Sequence, residues 1–551
     1  MSDLPTRIVF LGGLGEVGRN IFAVESAGRI LIIDAGLSFP SEEMLGVDLV
    51  LPDFTYLKDR ADRCEAIVLT HGHEDHVGAL GWLLKEIDVP VYGTPLTLGL
   101  AGRRLEEHGV DADMRRIGAP ERKKIGPFDC CFVAMSHSIP DAISVAIDTE
   151  DGRILYTGDF KLDESPIDGR TTDLDTLRTL GAEGVDLLLS DSTNAEEPGR
   201  TPSERAVGEK FREIIAGASG RVILACFASN LHRIQQVCEA AESARRRVAF
   251  VGRSMVANVE VGRELGHLRA GYGTLVELKE LLELPPDRGV IICTGSQGEP
   301  FSALSLIAAG DHREVTIQPD DTVILSASPI PGNEAAVHSV INEFYRTGAE
   351  VFDSKTSQVH VSGHAASEEL AEMITVVGPR NFVPVHGEFR HLAAHARIAE
   401  RVGMARDAIW IAEDGVVLEL SKGRVARGER VQVGTVLVDG LGVGDVGPVV
   451  LRDRRLLAED GIVICVVTID GHTGEILAGP DIISRGFVYE NESRDLLDEA
   501  SDTVMAALEQ LEAEGVTDWA AIKKKTRRAL GEFVWTRTHR RPVIMPLVVE
   551  I

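Results

Sequence analysis

Short apolar runs closed by polar or turn-forming clusters dominate the first 200 residues. Those near 8–12, 21–25, 30–34, 66–70, 129–136, 143–148, 154–158 and 185–190 read as strands. The stretch Val77-Gly-Ala-Leu-Gly-Trp-Leu-Leu-Lys-Glu, which follows the fourth of these runs, reads as a helix. A polar, Pro-rich segment at Glu197-Pro-Gly-Arg-Thr-Pro-Ser marks a boundary. A second strand–helix alternation follows. Its strands are Val222-Ile-Leu-Ala-Cys-Phe, Val248-Ala-Phe-Val, Val290-Ile-Ile-Cys and Thr322-Val-Ile-Leu-Ser, and its helices lie near 230–247, 254–266, 301–309 and 333–347. The tail reads as a small α/β module, with a strand over 462–469, helices over about 492–514 and 518–536, and an apolar end. Helix 492–514 alternates apolar and charged faces, which suits packing inside the module or a subunit interface. The fold class is α/β.

Gly13-Leu-Gly15-Glu-Val-Gly18, with Asp34 downstream, has the spacing of a dinucleotide-binding fingerprint. That fingerprint needs a helix at the glycines. Here the pattern continues as strand, Gly turn and strand, so the segment reads as a β-meander whose glycines bring backbone close to a site.

His71-Gly-His73-Glu-Asp75-His76 closes the strand-like run Ala66-Ile-Val-Leu-Thr70. Open α/β sheets bind ligands at the carboxyl ends of their strands. The alternative is a wet, His-rich loop, but the chain has only 16 His in 551 residues. Imidazole and carboxylate together suit zinc. Three further strand-like runs end at His137, at Asp159 and at His386. Taken with the six-residue string they complete two sites. His71, His73 and His137 would hold one metal, Asp75, His76 and His386 the other, and Asp159 would bridge, because a carboxylate between two cations offsets their repulsion.

These residues resemble the metallo-β-lactamase fold. Asp34, in Leu31-Ile-Ile-Asp34-Ala-Gly, matches that fold's first-motif aspartate, which supports the ligands from behind. The chain also resembles the nucleases that carry an inserted β-CASP domain, with Asp191 at motif A, His364 (in His360-Val-Ser-Gly-His364-Ala) at motif B and His386 at motif C. A His at motif C goes with RNA-processing members. Phe10-Leu-Gly-Gly-Leu-Gly-Glu-Val-Gly-Arg-Asn20, Thr294-Gly-Ser-Gln-Gly-Glu-Pro300 and Val438-Asp-Gly-Leu-Gly-Val-Gly-Asp445 resemble the bacterial ribonuclease J family, from about residue 7 to the C-terminus.

The resemblance implies an αββα sandwich with an inserted β-CASP domain and a small C-terminal α/β domain. Expected boundaries are 1–200 and 355–450 for the sandwich, 201–354 for the insertion, 451–460 for a linker and 461–551 for the C-terminal domain. It implies 5′-to-3′ exonuclease and endonuclease action in RNA maturation and mRNA decay. Two zinc ions per subunit (manganese suits the same ligands) would activate a bridging hydroxide. Asp75, Asp191 and His364 are the catalytic candidates: Asp75 orients the water, Asp191 positions it or takes a proton, and His364 protonates the leaving oxygen or binds the phosphate. The substrate the resemblance implies is single-stranded RNA with a 5′ monophosphate. Candidate contacts are Ser229, Asn230, Arg233, Ser296, His360, Ser362, Gly363 and His364; helix capping is the alternative for several. Rival readings are a DNA-processing β-CASP nuclease, which His386 opposes, and a small-molecule metallo-hydrolase, which would lack the insertion.

Composition bears on partners. Net charge is −29, against the basic surface a nucleic-acid binder usually shows. Basic clusters at Arg245–Arg247, Lys523–Arg528 and Arg537–Arg541 are the exceptions, each as a rule a solvated face. The seven Cys are scattered, as in a reducing cytoplasm. Neither a signal peptide nor an apolar stretch of about 20 residues is evident, so no membrane association is expected. A homodimer or homotetramer is expected from the family, with room for partners of an RNA-degradation complex.

Overall fold

The computed structural model describes residues 4–41, 43–330, 332–471, 473, 475–488, 493–513 and 518–551. The chain divides into two compact units, Met1–Phe39 with Leu49–Val436, and Pro40–Asp48 with Leu437–Ile551.

Two facing sheets form the base of the first unit. One has eight strands, in the order Arg424–Arg427, Val417–Ser421, Thr6–Gly12, Ile21–Ser26, Arg29–Ile33, Cys64–Val68, Val91–Gly93 and Met114–Arg116. The other has six, in the order Asn381–Val385, Leu187–Asp191, Gly152–Tyr156, Ile143–Thr149, Phe128–Ala134 and Glu121–Ile125. Successive side chains on a strand face opposite ways. Ile8, Leu31, Ile33 and Val68 therefore turn inward to meet Phe132, Val145, Ile154 and Leu189 of the facing sheet. Val9, Ile30, Ile32 and Ile67 turn outward and pack beneath Leu80, Leu83 and Leu98. Leu177, Met373, Ile374 and Ile398 cover the outer face of the second sheet, over Val133, Leu155, Leu188 and Phe382. The result is an αββα sandwich. Burial on both faces explains why these strands read as nearly continuous apolar runs.

The Gly13–Gly18 segment opens no helix. Thr6–Gly12 pairs antiparallel with Ile21–Ser26, which pairs antiparallel with Arg29–Ile33, as the meander reading requires.

Residues between the two halves of the sandwich form a five-stranded parallel sheet ordered Arg247–Val251, Gly289–Cys293, Val222–Ala225, Thr322–Leu325 and Glu350–Phe352. Helices cover both of its faces. One of them, Arg205–Gly217, was not anticipated, although its buried Val207, Phe211, Ile214 and Ile215 follow helical spacing.

In the second unit Ile462–Ile469 pairs antiparallel with Ile476–Arg485 and parallel with Val543–Glu550. Helices Arg494–Ala513 and Trp519–Thr538 pack on this sheet. Residues 492 and 514, the expected ends of the first of these helices, lie outside the described residues. The strand Ile476–Arg485 escaped the sequence reading because Gly479-Pro480 interrupts it; register shifts near Val466–Ile469 absorb the break. The segment expected as a linker falls within a helix, Pro448–Asp460, with Pro at its first position. No described helix is long and apolar enough to cross a membrane.

Asp414 fastens the Gly-rich loop by accepting a hydrogen bond from the Leu14 amide at 3.0 Å. Burial, reinforced by the Glu16 charge, pushes its carboxyl up to about 7. An unfolded Asp titrates near 3.9 or so. The folded state therefore binds the extra proton between those values, and stability falls as pH rises through that window. Asp414→Asn keeps the acceptor and removes the charge. Unfolding titrations should show it more stable than the parent at pH 8, by on the order of 1–2 kcal/mol, and indistinguishable at pH 4. An equal effect at both pH values would contradict this.

Candidate metal centre

Strand ends deliver the cluster. Phe128–Ala134, Gly152–Tyr156, Leu187–Asp191 and Asn381–Val385 run in the same direction through one sheet, so their carboxyl ends share one edge. His137, Asp159, Asp191 and His386 stand there. From the facing sheet, Cys64–Val68 leads to His71 and His73, and the helical turn Glu74–Val77 carries Asp75 and His76. That turn lies so close to Gly36 that a Cβ there would be 1.6 Å from the Asp75 carbonyl oxygen. Asp34 and His386 hold left-handed φ angles of +60° and +54°, strain of the kind that gathers at functional sites.

Three groups of donors converge, each with its ligand atoms within 4.8 Å of one another. They are His71, His73, His137 and Asp159; Asp75, His76, Asp159 and His386; and Asp159, Asp191, His364 and His386. In the first, His73 Nδ1 lies 3.0 Å from His71 Nε2 and 3.2 Å from His137 Nε2. Tetrahedral zinc with nitrogen ligands at about 2.0–2.1 Å places them roughly 3.3 Å apart, so these nitrogens need little movement. Asp159 is common to all three groups. Its Oδ2 is 3.3 Å from His76 Nε2, 3.6 Å from His71 Nε2, 3.8 Å from His137 Nε2 and 3.9 Å from His364 Nδ1, yet has no hydrogen-bond partner among the described residues. His386 Nε2, also without one, lies 3.3 Å from Asp75 Oδ2. A buried carboxylate oxygen left in this state costs several kcal/mol unless a cation sits beside it. The orphaned atoms and the nitrogen–oxygen donor set both fit metal.

Two of the imidazoles are turned by a partner on their far side. His76 Nδ1 donates to Asp34 Oδ2 at 2.8 Å and His137 Nδ1 to the Gly363 carbonyl at 2.8 Å, which leaves both Nε2 atoms facing the cluster. Asp34 also accepts from the Thr70 amide and hydroxyl. Burial, helped by neighbouring imidazoles, holds His71 and His137 far below the ordinary imidazole value, and burial brings His73 down to about 4. Neutral rings are the form that binds metal. Burial also disfavours charge on His76 and His386, but the carboxylates outweigh it. Asp159, Asp34 and Asp75 raise His76, and Asp159, Asp75 and Asp191 raise His386 to about 10. A site that draws protons this strongly offers the same attraction to a cation.

His364 belongs to the third group, and its Nδ1 lies 2.8 Å from Asp191 Oδ2. Asp191 Oδ1 accepts from the Thr193 amide and hydroxyl. Against its burial, Asp191 raises the His364 pKa.

The candidate substrate contacts sort differently. Arg233 is a correction: it is fully buried and cannot meet an RNA phosphate. Its donors go to both Glu204 oxygens, to the carbonyls of Ser326 and Val361, and to His360 Nδ1 at 2.6 Å, tying the inserted sheet to the segment that returns from it. His360 thereby has one ring nitrogen committed. Asn230 caps the following helix, accepting from the Arg233 amide, so the capping reading is the observed one. Ser296 is buried, and the helix beyond it is capped by Ser302 instead. Ser229 is half-buried at the strand-to-helix turn. Ser362 Oγ accepts from the His364 amide, and Gly363 orients His137. Asn20, not singled out from sequence, has Nδ2 3.1 Å from His76 Nε2 and 3.1 Å from the Asp75 carbonyl. Its only signal was its place at the end of the Gly-rich loop.

Comparison with known proteins agrees with this anatomy. Residues 14–198 match the metallo-beta-lactamase superfamily, 219–344 the ribonuclease J beta-CASP domain, 354–408 the Zn-dependent metallo-hydrolase RNA specificity domain, and 449–551 the ribonuclease J C-terminal domain. A solved protein of unknown function from Enterococcus faecalis V583 shares the fold, with a TM-score of 0.52 and 17% identity over 77% of this chain and 100% of its own. Fold and site together define a metal-dependent hydrolase of the metallo-β-lactamase superfamily with a β-CASP insertion. Ribonuclease J of Mycobacterium tuberculosis is 45% identical over 99% of this chain and 97% of its own length. Ribonuclease J 1 of Streptococcus pyogenes is 43% identical over 98% and 96%, and ribonuclease J2 of Bacillus subtilis 41% identical over 99% and 98%. The chain belongs to the ribonuclease J family.

Asp34→Asn should weaken zinc binding by about 10–100-fold, as measured by competition with a chromophoric chelator, because the partner that fixes the His76 tautomer changes. Unchanged affinity would show that Asp34 does not orient this ligand.

Proposed function

We propose that this ribonuclease degrades single-stranded RNA from a 5′ monophosphate and also cuts internally, in the cytoplasm, with two zinc ions per subunit. Asp159 Oδ2, buried among imidazole nitrogens without a hydrogen bond, is the observation that carries the reading. His71, His73 and His137 would hold one ion, Asp75, His76 and His386 the second, and Asp159 both. Bound there, the pair supplies a water of lowered pKa and positive charge on the scissile phosphate.

The remaining work falls to the chain. Asp75 and Asp159 fix the direction from which water approaches phosphorus. Asp191, 2.8 Å from His364 Nδ1, favours the imidazolium, the form that can deliver a proton to the departing 3′ oxygen. Among the candidates for the terminal phosphate, Ser229 is half-buried at a turn leading into a helix N-terminus. Boundaries near 200, 354, 450 and 460 and assembly as a dimer or tetramer belong to the same reading.

The test uses 5′-labelled, monophosphorylated RNA and DNA of matched sequence, with and without chelator. RNA should be cleaved, chelator should stop it, and DNA should survive; nucleotide release from DNA alone would overturn the RNA assignment. His364→Ala should lower turnover by about 10²–10⁴-fold while keeping the rise in melting temperature that added zinc produces. Loss of that rise would make His364 a ligand instead.

A further inference from the structure

The chain carries 57 Lys and Arg against 86 Asp and Glu, so attraction for phosphate has to be local. One element reverses the balance. From Trp519 to Arg541 there are eight Lys and Arg and a single acid, Glu532. Most of this stretch is the helix Trp519–Thr538, whose buried stripe is Ile522, Thr526, Leu530 and Val534. Lys524, Arg527 and Arg528 lie three and four residues apart on the other face, Trp535 follows Arg528 two turns on at seven residues, and all are exposed. Arg541 lies over the Trp535 ring, its Cζ 4.4 Å from the centroid, and Lys523 Nζ is 4.3 Å from the centroid of Trp519. The two indoles are 42% and 52% exposed.

Helix physics works against this arrangement. Lys523 and Arg527, like Lys524 and Arg528, are like charges four residues apart. The three lysines also crowd the helix half that bears the positive end of its dipole. Within the module, Arg528 pairs with Glu532, Arg537 with Glu499, and Lys525 reaches Gln510. Lys524 and Arg527 have no ion-pair or hydrogen-bond partner among the described residues. Two unanswered cations in a charge pattern that costs the helix stability point outward. Cations alone would suit any anion. Cations interleaved with exposed indoles suit single-stranded nucleic acid, whose phosphates take the charges while its unpaired bases stack.

We infer that the face bearing Lys524, Arg527, Arg528, Trp535 and Arg541 docks single-stranded RNA on the C-terminal module. This rests on the ribonuclease reading and adds a second holding point to it. Phosphates lie along the helix and a base packs at Trp535.

The test uses the full-length, metal-loaded protein, a triple variant (Lys524→Ala, Arg527→Ala and Arg528→Ala together) and Trp535→Ala. Ala is the strongest helix former, so the helix survives. Affinity for a long phosphorothioate-linked RNA is read by fluorescence anisotropy across a salt series. The triple variant should bind about tenfold more weakly, with its log–log salt slope reduced by about two, from roughly 0.7 per lost phosphate contact. Trp535→Ala should lose about fivefold or more with little change in slope. The ratio of KM for the long RNA to KM for one of about five nucleotides should rise alongside, since a longer RNA offers this face more phosphates and bases. Unchanged affinity and slope would overturn the inference. So would a change of oligomeric state with slope intact, which would make the face a protein interface. If the parent cleaves neither RNA, the catalytic reading fails, and the anisotropy slope still decides the role of this face.

Discussion

A carboxylate oxygen sealed from water, ringed by imidazole nitrogens and bonded to none of them, is the constraint around which this chain is arranged. Asp159 Oδ2 lies 3.3 Å from His76, 3.6 Å from His71, 3.8 Å from His137 and 3.9 Å from His364. Without metal, the carboxylates draw protons to His76 and His386 while burial disfavours charge on His71, His73 and His137, and Asp159 Oδ2 and His386 Nε2 still have no hydrogen-bond partner among the described residues. Cations resolve both problems at once. The surrounding structure serves that end. Parallel strand ends bring His137, Asp159, Asp191 and His386 to one edge, Gly36 lets the Asp75 turn approach, and Asp34 and Gly363 aim the imidazoles.

Much of this was legible in the chain because the sheets are buried on both sides and the chemistry sits at their ends. An apolar run followed by His or Asp gives both the strand and its cargo, which is why His71, His137, Asp159 and His386 could be named before any coordinates. What stayed hidden was long-range. Arg233 at a strand-to-helix junction looks like a phosphate contact; only the fold brings Glu204 and Val361 against it and seals it. Asn20 and Gly36 act through distance to a turn far along the sequence, and no periodicity reports that. The strand Ile476–Arg485 was lost to an internal Gly-Pro whose bulge only pairing reveals.

The acidic composition takes on a different meaning once the charges are placed. Substrate attraction does not need a basic body if positive charge is concentrated where phosphate must go: at the metal centre and on one helix of the C-terminal module. The remaining acidic surface then discourages RNA from settling elsewhere.

The most direct measurement is elemental analysis of the purified, fully active protein alongside its turnover of RNA. Close to two transition-metal ions per chain are expected, with activity falling in proportion as they are removed. Full activity in protein that contains no bound transition metal would contradict this.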